Sequence, residues 1–269
     1  MRAFEYQRPE SLRDASAALG AGTDTRPLAG GMTLIPAMKM RLSTPETVVD
    51  LGGLGELRGI RVSSSGIAIG AMTKHAEVAG SSEVRAAIPA LAALAGGIGD
   101  PQVRNRGTIG GSIANNDPAA DYPAAVLALD ATVKTTMRSI PAAEFFTGMF
   151  ETALKPGEII TEVVFPLPVA AAYEKFRSNA SRYALVGVFV ARSAAGTRVA
   201  VTGAASRVFR ATHLERALDE KFSAEALAKV RFPSEGLNSD LHADAEYRAH
   251  LIGVLAQRAV AKLASGSGR

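Results

Sequence analysis

Ala29-Gly30-Gly31-Met32-Thr33-Leu34 and, further along, Thr108-Ile109-Gly110-Gly111-Ser112 decide how this chain is read. Each places paired glycines beside small hydroxyl side chains. Gly30 and Gly31 can take positive φ and let a ligand approach the main chain with no Cβ in the way. Thr33 is placed to cap a helix over 33–42, with Pro36 in its first turn, and unpaired N–H groups at such a helix start attract anions. Neither stretch is a P-loop, which needs G-x-x-x-x-G-K-[ST], or a Rossmann G-x-G-x-x-G. Taken alone, the first also reads as a strand-to-helix turn with no ligand. The run 107–121 reads as a long irregular polar segment between two helical stretches, anchored by Ile109 and Ile113. Its alternative is an Asn/Asp-rich surface loop.

Outward from the first turn, Pro27-Leu28-Ala29 reads as a short strand and Thr47-Val48-Val49-Asp50-Leu51 as a buried one. With the helix between them they make a βαβ arrangement, preceded by a helix over 11–19. From Ile60 the pattern changes to a hairpin, Ile60-Arg61-Val62 and Ile67-Ala68-Ile69-Gly70, around a serine-rich turn. Thr73 is a candidate cap for a short helix carrying Glu77 and Val78, and a helix over 89–95 stops at Gly96-Gly97. Asp121 stands at a cap position before Pro123, which opens a helix to 129. Strands over 131–137 and 159–165 flank a Ser139-Ile140-Pro141 turn. Pro166-Leu167-Pro168 marks a domain boundary. Beyond it, 185–192 and 198–202 alternate as an antiparallel pair, and helices follow over 211–220, 224–230 and 244–263. In the last, Tyr247, Leu251, Val254 and Leu255 share one face. The stretch 265–269 reads as a flexible tail.

Composition narrows the function. The 269 residues are 47% hydrophobic and 21% charged, as in an ordinary globular protein with a full core. No apolar run is long enough for a bilayer span and the first residues lack a signal-peptide core, so a cytoplasmic location is expected. The chain has no cysteine, which excludes disulfides, thiolate nucleophiles and cysteine-ligated iron–sulfur clusters within it. His75, His213, His242 and His250 lack H-E-x-x-H spacing and read as surface or helix-end residues rather than metal ligands. The net charge of +4 comes from scattered basic residues, and tryptophan is absent, so no nucleic-acid stacking platform is present. So modest an excess reads as a solvated surface, a patch for an acidic partner or attraction for an anionic cofactor. Asp121 also reads as a plain cap, Lys39 and Arg41 as solvated helix-end residues, and no nucleophile–base pair stands out.

The pair A-G-G-x-[TS]-L-x-P-x-M-K-x-R, from Ala29, and R-N-R-G-T-I-G-G-S-x-A-x-x-D-P-A-A-D, from Arg104, resembles the flavin subunit of the molybdenum hydroxylases. That family includes the medium subunit of aerobic carbon monoxide dehydrogenase and the FAD domain of xanthine dehydrogenase. Tyr173-Glu174-Lys175-Phe176-Arg177, Asp240-Leu241-His242-Ala243 and Glu246-Tyr247-Arg248 extend the likeness over essentially the whole chain. The resemblance implies an α+β fold. A two-part FAD-binding domain would cover 1–166, as a small βαβ unit over 1–56 and a mixed or antiparallel sheet with helices over 57–166. An antiparallel sheet with a helix bundle would cover 171–269.

By the same resemblance the backbone of Ala29, Gly30, Gly31, Met32, Thr33 and Leu34 wraps the FAD diphosphate from one side. Thr108, Gly110, Gly111 and Ser112 meet it from the other. Asn115, Asp117 and Asp121 match the segment reaching the ribityl and isoalloxazine region, with Ala114 in the same cofactor-binding set. Ile160 matches a position packing on the flavin or adenine, and Arg177 a basic position near the cofactor. Ile98 stands where some relatives carry an aromatic ring beside the flavin. Met32 stands where relatives often carry a polar residue, so it contributes only its N–H. The implied chemistry places substrate oxidation on a large molybdopterin-binding subunit and iron–sulfur clusters on a small one, with FAD here feeding an external acceptor. A free-standing flavoprotein oxidase or reductase, and a non-enzymatic nucleotide-binding module, are the alternatives. Substrate contacts would lie on another chain.

Overall fold

The computed structural model describes residues 1–22 and 24–265; beyond Ser265 the expected tail lies outside the described residues. The chain opens with β1 (Glu5–Gln7), α1 (Leu12–Ala21), β2 (Thr25–Leu28), α2 (Leu34–Lys39) and β3 (Thr47–Asp50). The strands form a parallel sheet in the order β1-β3-β2. Val48 and Val49 of the central strand are buried, as a strand flanked on both sides requires. Ser11 caps α1 through a 3.1 Å bond from the Asp14 N–H. The helix expected to reach residue 42 ends at Lys39, because Arg41 turns left-handed at φ +61°.

The middle of the chain carries β4 (Ile60–Ser63), β5 (Gly66–Gly70), α3 (His75–Gly80), α4 (Ser82–Ala87), α5 (Pro89–Gly96), α6 (Pro101–Arg104), α7 (Ile109–Asn115) and α8 (Tyr122–Ala128). It closes with β6 (Thr132–Thr135), β7 (Ser139–Pro141), α9 (Ala142–Phe145), β8 (Phe146–Gly148), β9 (Glu151–Thr152) and β10 (Ile160–Pro166). An antiparallel sheet runs β4-β5-β10-β6-β7. The expected turn at Ser139-Ile140-Pro141 is instead β7, with Val133 opposite Ile140. As an edge strand it tolerates Pro141. The cap expected at Thr73 falls one residue later. Glu77 accepts the Lys74 N–H at 2.8 Å, while the Thr73 hydroxyl bonds the Gly59 backbone.

The last part holds β11 (Ala170–Arg177), β12 (Ala184–Ser193), β13 (Gly196–Thr202) and β14 (Phe209–Arg210), an antiparallel sheet in chain order, then α10 (Thr212–Glu220), α11 (Ala224–Ala228) and α12 (Ala245–Ala264). Both faces of this sheet are covered. Alternation sends Val186, Val188 and Val190 of β12 into the core with α10–α12, and Phe189 and Ala191 into the core shared with α5 and α8. Every residue of α8 is buried, because it lies between the middle part and this sheet. On α12, Leu251 and Leu255 are buried as expected, but Tyr247 is exposed and Arg248 takes the interior place. Arg248 donates to the Leu185 and Gly203 carbonyls at 2.7 and 2.9 Å and to Asp240 at 2.8 Å. Among the described residues no helix is long and apolar enough to cross a membrane.

Candidate cofactor-binding site

The two glycine turns meet. A Cβ on Gly30 would overlap the Arg106 carbonyl and stand 2.8 Å from the Gly107 Cα. A Cβ on Gly111 would lie 3.3 Å from the Ala29 Cβ. The absence of side chains at these positions therefore lets one backbone pack on the other. Gly31 has a second reason: its φ of +75° turns the chain from β2 into α2, where its carbonyl accepts the Ile35 N–H at 3.1 Å.

The turns differ in what they offer a ligand. Among the described residues, no protein acceptor takes the N–H groups of Gly30, Gly31, Met32, Thr33 or Leu34. Thr33 sits at the N-cap position of α2 but makes no capping bond, contrary to expectation, since its own backbone is already helical. The second stretch is not an irregular loop: it is the start of α7, capped by Thr108, whose hydroxyl accepts the Gly111 N–H at 3.1 Å. Ile109 donates to the Thr73 carbonyl at 3.1 Å, Gly110 to Ala71 at 2.8 Å and Ser112 to Thr108 at 3.0 Å. The amides of Ile109 to Ser112 are therefore already satisfied; among the described residues only the Thr108 N–H of this stretch has no protein acceptor, against five in the first turn. What α7 brings to a ligand is close backbone approach and the hydroxyls of Thr108 and Ser112.

Between the turns lies a cleft of about 540 Å³, a size typical of cofactor sites. Its lining includes Ala29, Gly30, Gly31, Met32, Thr33 and Leu34, then Thr108, Gly110, Gly111, Ser112, Ala114 and Asn115, with Asp117, Asp121, Ile98 and Ile160. Arg177 is absent from it. The register slips beside it, where Leu185 of β12 is left without a partner between Val186 and Ala184, and Arg177 is exposed on a separate hollow with His242.

Lys175, two residues earlier, lines that hollow too but pairs with a carboxylate of the cleft wall. Its Nζ lies 2.9 Å from the Asp121 carboxylate, which also accepts the Tyr173 hydroxyl at 2.5 Å. Asp121 stands at the N-cap position of α8, as expected, but its carboxylate makes no capping bond. Burial pushes its carboxyl up, against the Lys175 charge and the Tyr173 and Lys175 hydrogen bonds.

Sequence reasoning missed further lining residues. Ser181, Arg182 and Tyr183 enter from the β11–β12 turn, Phe150 from the β8–β9 tip and His75 from the start of α3. Burial, with Asp117 and Asp121 nearby, pushes the Tyr183 hydroxyl up. His75 is buried rather than on the surface. Burial, aided by the Arg104 charge, lowers it to about 4, and its Nδ1 has no partner among the described residues. Nothing in the local pattern marks two hairpin tips as part of a site, whereas Lys175 lies in the same short stretch, 173–177, as Arg177.

Open amides beside paired glycines, in an apolar-walled cleft, define a protein that holds a phosphorylated nucleotide cofactor. Residues 2–168 match the family described as "FAD binding domain in molybdopterin dehydrogenase". The chain is 39% identical over 281 residues to the carbon monoxide dehydrogenase medium chain of Afipia carboxidovorans, covering 96% of this chain and 95% of that one. It is 34% identical over 279 residues to the glyceraldehyde dehydrogenase medium chain of Sulfolobus acidocaldarius, covering 97% and 98%. A solved structure, "Reconstituted CO dehydrogenase from Oligotropha carboxidovorans", superposes with a TM-score of 0.90 at 36% identity, covering 97% of each chain. The chain belongs to the FAD-binding subunits of the molybdopterin dehydrogenases, which are flavin-dependent oxidoreductases.

Proposed function

We propose that this chain is the electron-transfer subunit of a heteromeric molybdenum hydroxylase. It takes electrons from iron–sulfur clusters on a small partner and passes them to an external acceptor, while a large molybdopterin-binding partner oxidises the substrate. The observation that carries the reading is the row of open amides from Gly30 to Leu34 facing the capped start of α7 across the cleft. A chain without cysteine also needs its cluster on another subunit.

The residues present suit the cofactor. Amides of the first turn hold the diphosphate, each charge-assisted bond contributing about 1.5–3 kcal/mol. Thr108 keeps its hydroxyl proton for the same anion while its oxygen caps α7. Asn115, Asp117 and Asp121 bond the polar middle of the cofactor, and Ile98 and Ile160 pack its rings. Tyr183 supplies an aromatic face at the rim. Lys175 holds the Asp121 carboxylate in place. Bound isoalloxazine supplies one- and two-electron chemistry; the protein contributes position, hydrogen bonds and access. Residues 1–166 form the FAD-binding unit, 171–269 a second unit that brings Lys175 and Tyr183 to it, and the protein works in the cytoplasm.

The test mixes the FAD-loaded chain with its chemically reduced iron–sulfur partner under anaerobic conditions and follows the flavin absorption band. Bleaching of the band as the cluster reoxidises supports the reading. Turnover of a small organic substrate by the isolated chain, with no transfer from the partner, would overturn it.

A further inference from the structure

Phe150 is out of place by the ordinary rules of backbone conformation. It holds φ +56°, a left-handed backbone that bulky side chains rarely adopt. The residue is 55% exposed, yet it also lines the cleft, so it stands at the mouth rather than in the core.

The rest of its hairpin is tightly fixed. Phe145 and Phe146 are buried and meet edge to face with centroids 5.0 Å apart. Arg207 donates to the Thr147 carbonyl at 2.7 Å and to that of Phe146 at 3.2 Å. Asn116 completes the clamp from the end of α7. Its carboxamide nitrogen donates to the carbonyls of Gly148 and Glu151 at 2.8 and 2.7 Å, on either side of the tip, and the main-chain carbonyl of Asn116 accepts the Phe150 N–H at 3.2 Å. Asn116 is itself left-handed at φ +44°, a conformation asparagine tolerates, and is 1% exposed. Thus the helix whose first turn packs against the first glycine loop uses its last turn to present one strained aromatic ring to the cleft. A strained, over-determined residue at a site rim marks strain held for a purpose.

We propose that Asn116 is a positioning residue that holds the β8–β9 tip so that Phe150 covers the mouth of the cleft over bound FAD. The proposal rests on the cleft being the FAD site. Phe150 shields the cofactor from solvent and slows its departure; Asn116 acts only through the hairpin.

The test uses the full-length FAD-loaded chain, reading FAD release after dilution, iodide quenching of flavin fluorescence and melting of the FAD-free form. Phe150→Gly relieves the backbone and removes the ring. It should melt higher than the wild type, yet release FAD about tenfold faster and quench more readily. Phe150→Tyr should behave as wild type. Asn116→Gly keeps the left-handed backbone without the carboxamide, and should release FAD faster with Phe150 unchanged. Phe150→Gly with wild-type release and quenching would overturn the proposal alone, as would a lower melting point, which would make the ring a packing residue. Asn116→Gly with wild-type release would overturn the part given to Asn116. A wild-type chain that takes up no FAD would overturn the cofactor site and this proposal with it.

Discussion

The Cα of Gly30 faces the main-chain carbonyl of Arg106 so closely that even a methyl group there would overlap it. The residue therefore serves loop-to-loop packing as well as ligand access. Gly30→Val should cost about 1–3 kcal/mol or more through overpacking, and should also abolish FAD retention. Melting of the FAD-free variant and its flavin content check this together. Loss of FAD with an unchanged melting point would mean that the position faces open cleft.

Thr33 and Thr108 both stand at helix N-cap positions, the first after its glycine pair and the second before, but do different work. Thr108 caps α7 and Thr33 caps nothing. Thr108→Ala should destabilise the chain by about 1 kcal/mol. Thr33→Ala should stay within about 0.5 kcal/mol. Denaturant titration of the two FAD-free variants decides.

His75 gives the fold a pH dependence. Its value in the fold is about 4, against an ordinary 6.5, because burial disfavours the charged ring. Between those values the unfolded chain binds more protons, so the contribution is present above pH 6.5 and is lost as pH falls toward 4. The loss amounts to about 3 kcal/mol. Asp121 works in the opposite direction, since its raised carboxyl favours the fold at low pH and loses that advantage as pH rises through its folded value. The difference between stability curves of the wild type and His75→Gln isolates the histidine. It should slope through this window; a flat difference would refute the assignment.

The Asp121–Lys175 pair should respond asymmetrically to mutation. Lys175→Met leaves a buried carboxylate without its cation and should cost about 3–5 kcal/mol. Adding Asp121→Asn should recover part of that loss. A double-mutant cycle by denaturant titration measures the coupling, and additive losses would contradict it.

What was legible in the sequence is what local chemistry encodes. The glycine turns, the βαβ opening, the β12–β13 pair and the three C-terminal helices depend on short-range signals. Helix α7 was hidden because Gly110, Gly111 and Asn115 are poor helix formers. The Ala71 and Thr73 carbonyls, supplied from elsewhere in the fold, satisfy its first amides. Strand alternation puts Lys175 and Arg177 on the same face of β11 and does not announce the register slip at Leu185 of β12 beside Arg177. Phe150 and Tyr183 reach the cleft from hairpin tips, so only the tertiary arrangement could reveal them.

Amide hydrogen exchange of the FAD-free and FAD-loaded chain tests the central claim most directly. Binding should slow exchange at Gly30 to Leu34, whose N–H groups have no acceptor among the described residues, and leave Ile109 to Ser112 nearly unchanged, since theirs are already bonded. Unaltered exchange at Gly30 to Leu34 on FAD binding would contradict the account.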